Sequence, residues 1–130
     1  MANGNDKSEI RSNRDLNVWQ DAMALAEASY EMTRAFPKEE MFGMTSQIRR
    51  SSASIAANVA EGHGRELTDS FIQFLRISQG SLKELETHVI LANRVGLLAS
   101  NNADSLLIRT ESLGKSLRSL IRSLQAREKQ

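Results

Sequence analysis

The chain has 130 residues, 40% of them hydrophobic and 25% charged, with a formal net charge of +1. That length suits one domain with a continuous core, and the composition is that of an ordinary soluble globular protein. The absence of Cys excludes disulfides, thiolate nucleophiles and thiolate metal sites and fits a reducing, cytoplasmic setting. No run approaches the roughly 20 apolar residues needed to cross a bilayer, so no membrane contact is expected.

The N-terminal stretch MANGNDKSEIRSNRD is polar and lacks an apolar signal core. It reads as a disordered tail over 1–15, ahead of a domain spanning 16–125. Helix 1 is expected from Asn17, with Gln20 three residues on as a capping-box partner. Val18, Ala22, Leu25, Ser29, Met32 and Phe36 recur at alternating spacings of four and three, a bundle seam. Pro37 stops the helix, because it lacks an N–H and disfavours helical geometry in the residue before it.

Helix 2 is expected from about Phe42 to Gly62 or Gly64, where the glycine pair reads as a stop. At 100° per residue, Met44, Ile48, Ile55 and Val59 share one side. Ala53, Ala56, Ala57 and Ala60 form a smooth strip beside them, and Gln47, Arg50, Ser51, Ser54, Asn58 and Glu61 form a polar stripe. Such a helix has room for two packing partners. Gln47, Arg50, Ser54, Ala57 and Asn58 are therefore candidates for an interface between copies of the chain, where polar groups would give specificity. The plainer reading of the same stripe is solvated surface.

Helix 3 is expected from Thr68, with Asp69 at the positive end of its dipole and Gly96 closing it. Phe71, Phe74, Leu75, Ser78, Leu82, Leu85, Val89 and Ala92 make its core stripe. Gly80 sits mid-helix, where glycine costs about 1 kcal/mol against Ala, so a close backbone approach is expected there. Ser100, Asn101 and Asn102 form the next turn. Helix 4 runs to about Gln125 with Leu106, Leu113, Leu117, Leu120 and Leu124 inward, and 126–130 is expected to fray. Short connections between long helices predict an all-α, up-down-up-down antiparallel four-helix bundle.

Sites for covalent chemistry are scarce. The only histidines are His63, read as an exposed loop residue, and His88, which shares a helical face with Glu84. Two ligands at that spacing are too few for a metal, and no Glu-x-x-His or His-Glu-x-x-His occurs. The serines match no nucleophile motif, and Gly62-His63-Gly64 matches no phosphate loop. No enzyme activity, metal or cofactor is expected.

Charge is the remaining signal. Residues 44–65 carry a net +2 and residues 105–130 a net +4, while 17–43 and 66–104 are acidic. Lys115, Arg118 and Arg122 fall within about 60° of one another on helix 4, away from its leucines. Lys129 would join them if the helix continued. Arg49, Arg50 and Arg65 add positive charge on and beyond helix 2. These six are the candidate contacts for RNA or DNA phosphates, with steep salt dependence. No aromatics interleave with them, so base stacking is not expected. In a single chain the plainer reading is a solvated face and ion-pair partners of the acidic helices; copies arranged in a ring would add their stripes into one strong field.

Val18-Trp19-Gln20 with Ala22, then FPKEE, FGMTSQIRRS, SIAANVAEGHGR and FLRISQGSLKELE occur in order. From about Leu16 to Leu124 the chain resembles the bacterial four-helix bundle family whose founding members are encoded in intervening sequences of 23S rRNA genes. It departs from the family at Ala56, where proline is usual. The resemblance implies a homopentameric ring of bundles without enzymatic activity. More distantly, the chain is similar to the accessory protein of diversity-generating retroelements, a positively charged pentamer that works with nucleic acid and a reverse transcriptase. Only Gln47-Ile48-Arg49-Arg50 and Glu61-Gly62-His63-Gly64-Arg65 fall on the family motifs; Lys115, Arg118 and Arg122 come from charge spacing alone. Two expectations follow. One is a non-catalytic homo-oligomer that contacts RNA or DNA; the other is a scaffold for a partner protein that binds no nucleic acid.

Overall fold

The computed structural model describes the backbone of residues 6–128 and the side chains of 15–127. Four helices are present, α1 (Asp6–Thr33), α2 (Met44–His63), α3 (Thr68–Arg94) and α4 (Ser100–Glu128), with one 3₁₀ turn at Lys38–Glu40. No strand occurs among the described residues. Each helix packs on its sequence neighbours, α4 closes back onto α1, and the diagonal pairs do not meet. Cross-helix contacts fix the directions. The start of α2 meets the end of α1 through Arg49 and Thr33. Ser54 meets Ser81 between α2 and α3, and Leu82 meets Gly114 between α3 and α4. The result is the expected up-down-up-down bundle.

The seams sit where the heptad-like spacing puts them. Val18, Ala22, Leu25 and Ser29 of α1 are buried, with Met32 and Phe36 packed partly against them. Ile48, Ile55 and Val59 of α2, seven of the eight expected positions of α3, and all five leucines of α4 are buried as well. Phe74 is the exception in α3, lying half-exposed. Buried hydroxyls are satisfied: Ser29 Oγ donates to the Leu25 carbonyl at 2.9 Å, and Ser78 Oγ donates across the α2–α3 seam to the Ile55 carbonyl at 2.9 Å.

Several boundaries differ from the sequence expectation. α1 begins at Asp6, so residues 6–15 of the expected disordered tail are helical, and Asp15 is buried. α4 continues to Glu128, through most of the segment expected to fray. Residues 1–5 and 129–130, including Lys129, lie outside the described residues. α2 starts at Met44 rather than Phe42, because the Glu40 carboxylate accepts from the Met44 N–H at 3.1 Å and caps it. With Ala in place of proline, residue 56 keeps its N–H, and α2 runs unbroken to His63.

Gly96 closes α3 as expected, with φ +85°. The Leu97 N–H reaches the Ala92 carbonyl at 2.9 Å and the Gly96 N–H reaches Asn93 at 3.1 Å. This pairing satisfies the last carbonyls of the helix and needs the left-handed conformation that glycine adopts freely. Gly80 corrects the expectation of a close approach: a Cβ built there meets nothing within 4 Å. Gly80→Ala is accordingly expected to raise stability by about 0.5–1 kcal/mol, read as a higher denaturant midpoint at unchanged m-value.

Candidate functional site

The exposed surface of α2 faces a groove shared with α1. At one end it forms a recess of about 320 Å³ lined by Asp15, Leu16, Trp19, Val59, Ala60 and His63. Through Trp19 and Ala60 it continues into a trough of about 540 Å³ whose floor includes Ala53, Ala57 and Ala60, and whose wall includes Met23 and Tyr30. Ala53, Ala57 and Ala60 are exposed, whereas Ala56 is buried. The alanine strip expected from the sequence is therefore a trough floor in the single chain, with methyl-sized side chains that leave room for another surface.

The polar stripe divides. Ser54 Oγ lies 2.9 Å from Ser81 Oγ, and Asn58 Nδ2 donates to the Ser54 carbonyl at 2.8 Å and to its Oγ at 3.0 Å. Both residues are half-buried, and Ser54 is turned towards α3. Gln47 Oε1 accepts from Arg50 Nη2 at 2.9 Å on the exposed side. Of the five candidate interface residues, Ala57 opens on the α1–α2 trough, and Ser54 and Asn58 have partners within the chain.

The cations are spread over the bundle. Arg49 donates from Nε to Thr33 Oγ1 at 2.9 Å and from Nη2 to the Tyr30 carbonyl at 3.4 Å, and lies over the Tyr30 ring at 4.8 Å. It pins the start of α2 to the end of α1, where helix carbonyls attract positive charge. Arg65 pairs with Glu61 at 2.8 Å and lies over the Phe74 ring at 5.0 Å. Lys115, Arg118 and Arg122 are exposed on α4, and none of them forms an ion pair among the described residues. Arg118 shares the α3–α4 groove with Lys83, Glu86 and Glu111. Arg49 and Arg50 stand on the diagonally opposite helix. Aligning Ser54, Ser81, Leu82 and Gly114 as one level puts them about 8–20 Å from the α4 stripe along the axis. One chain does not gather all six cations on one face.

Sequence reasoning missed a pair at the recess. His63 is the last residue of α2 rather than part of a loop. Its Nε2 lies 3.4 Å from Oδ2 of Asp15, a carboxylate only 2% exposed. The imidazole also stands edge-on to Phe71, with centroids 5.8 Å apart and planes at 84°. The signal for Asp15 was present: it sits three residues before Val18, in phase with the seam. His88 Nε2 lies 3.7 Å from Glu84 Oε2. Among the described residues no three His, Asp or Glu side chains converge as metal ligands, and no helix is long and apolar enough to cross a membrane.

Comparison with known proteins agrees with this architecture. The model of the 23S rRNA-intervening sequence protein family matches residues 14–119. A crystal structure from Bacteroides thetaiotaomicron, described as a protein of unknown function from the S23 ribosomal protein family, superposes with a TM-score of 0.75. It is 26% identical, and the match covers 84% of this chain and 98% of that one. No curated protein matches the chain. Since the matched segment covers well over half of the chain and reaches into all four helices, the chain belongs to the 23S rRNA-intervening sequence protein family.

Proposed function

We propose that this protein is a non-catalytic, self-assembling bundle, a homopentameric ring as the family resemblance implies, that presents α4 to RNA or DNA phosphates. The observation that carries this reading is the α4 stripe: Lys115, Arg118 and Arg122 are exposed on one face and lack acidic partners among the described residues. Three cations per chain make a modest field, but copies arranged about an axis add their stripes. The open alanine floor of the α1–α2 trough supports assembly, because a monomer gains nothing from leaving it bare. Phosphates, rather than bases, are the target, since no aromatic side chain accompanies the stripe.

The second reading is a scaffold that binds a partner protein and no nucleic acid. It is favoured by Arg49 and Arg65, which the fold engages in intrachain contacts. Anisotropy titrations of a labelled single-stranded RNA separate the two. With three phosphate contacts, affinity should fall roughly 20-fold between about 50 and 200 mM salt. Arg118→Glu with Arg122→Glu should abolish binding while leaving the helical content intact. Absence of binding at low salt, or binding indifferent to those reversals, would leave the scaffold reading standing.

A further inference from the structure

α4 stands at a corner of the bundle. It packs on α1 and α3, while α2 lies on the diagonal without touching it. With neighbours about 8–10 Å away at right angles, the axis of a corner helix stands about 6–7 Å proud of theirs along the outward diagonal. About half of its circumference is open, and the charges are arranged around that half. At 100° per residue, Arg118 and Arg127 lie about 180° apart around the axis. Arg118 marks the α3 flank, since it lines the α3–α4 groove, so Arg127 marks the opposite, α1 flank. Lys115, Ser119 and Arg122 fall on the arc between them. All four cations and Ser119 are exposed. Between Glu111 and Glu128 the helix carries these four cations and no acid, and none of the four forms an ion pair among the described residues. Asp104 and Glu111 share the outward arc only ahead of Lys115. On the flanking helices the same level carries Arg76 and Asp69 of α3 and Asp21 of α1, all exposed, so the face keeps a net positive charge.

We infer that α4 docks edge-on in the major groove of duplex DNA. Lys115, Arg118 and Arg122 reach one phosphate row, Arg127 reaches the other, and Ser119 faces the floor. The dimensions agree: the groove of B-form DNA is about 12 Å wide and 8.5 Å deep, and a helix with its side chains is about 10–12 Å across. The stretch from Lys115 to Arg127 is about 18 Å long, roughly five base-pair steps. Double-stranded RNA offers a major groove too deep and narrow for side chains to enter. A single strand has one phosphate row, which leaves Arg127 without a contact. The serine hydroxyl is short enough to let the helix approach closely and donates to phosphates or to either kind of base edge, so affinity comes from phosphates and sequence preference is weak. The inference rests on the nucleic-acid reading above and names the form of nucleic acid that the arrangement fits.

The test uses the full chain and three labelled probes of one sequence: a 12-base-pair DNA duplex, the matching RNA duplex, and the single-stranded RNA. The DNA duplex should bind at least about 10-fold more tightly than either of the others at about 100 mM salt, and with four phosphate contacts its affinity should fall roughly 150-fold between about 50 and 200 mM salt. Arg127→Glu should weaken DNA duplex binding about 10-fold or more and change single-strand binding less than about 2-fold, while Arg127→Gln should lower the salt slope for the duplex by about one. Circular dichroism checks that both variants keep their helicity. Methyl green, a major-groove ligand, should displace the protein from the duplex, and netropsin, which fills the minor groove, should not. A DNA duplex bound no more tightly than the RNA duplex, Arg127 variants without effect on it, or displacement by netropsin alone would overturn the groove docking and leave phosphate binding in place. Binding to none of the three probes at low salt would end both.

Discussion

Phe71→Ala is expected to cost about 3–5 kcal/mol, enough to lower the melting temperature by roughly 10–20 °C in a chain of this size. Phe71 is the largest fully buried side chain among the described residues. It lies in the first turn of α3, against the end of α2, where its ring meets His63 edge-on and passes close to Gly62. Truncation removes the apolar contact and opens a cavity that the flanking helices fill only in part. The spacing of α2 and α3 is set by close backbone approach at this end, so little collapse is available. Thermal and chemical denaturation of the purified variant measure the loss; a change under 1 kcal/mol would mean that the α2–α3 corner repacks freely.

Gly62→Ala should also destabilise the bundle, by less than Phe71→Ala, although it adds only a single methyl group. A Cβ at residue 62 would stand 2.7 Å from Phe74 Cβ and 2.9 Å from Phe71 Cδ1. Phe74 Cβ is fixed to its own backbone, so relief requires α3 to move away from α2 rather than a side chain to turn. Overpacking of this kind costs about 1–3 kcal/mol, which exceeds the gain of up to about 1 kcal/mol that Ala normally brings to a helix interior. A melting temperature at or above the wild type would show that the corner is loosely packed. Because Phe71 contributes one of the two clashes, Gly62→Ala combined with Phe71→Ala should cost less than the two separate losses together.

The two glycines show how far local reading reaches. A glycine inside a helix is locally unfavourable, and the sequence therefore signals that Gly62 and Gly80 each call for a reason. At Gly62, read as a helix stop, the reason is the approach of α3; at Gly80, read as a close approach, there is open space. Which neighbour faces a given glycine depends on the crossing of two helices, and no residue near it in sequence records that. Arg49 and Arg50 behave alike in this respect. Adjacent in the chain, they part in space: one bonds the end of α1 and the other bonds Gln47 on the exposed side. Charge spacing on a single helix could not distinguish them.

The α1–α2 groove was half legible. The alanine strip was visible because small residues repeat at helical spacing, and Ala53, Ala57 and Ala60 do lie on an open floor. The walls were not visible. Trp19 and Met23 belong to another helix, and their height above the floor follows from how α1 packs on α2. Asp15 was assigned to a disordered tail because the polar run around it masks a single seam position, yet its carboxylate is buried against His63.

By itself the sequence determined the number of helices, their order and the faces they bury, because those follow from a period of 3.6 residues and from where proline and glycine interrupt it. The motifs also pointed to the family. Only the tertiary structure decided which polar groups are consumed inside the chain, which glycine is pressed, and which apolar side chains stay uncovered. Those outcomes depend on contacts between residues distant in sequence. Ser54 finds Ser81, Arg49 finds Thr33, and Phe42 finds nothing.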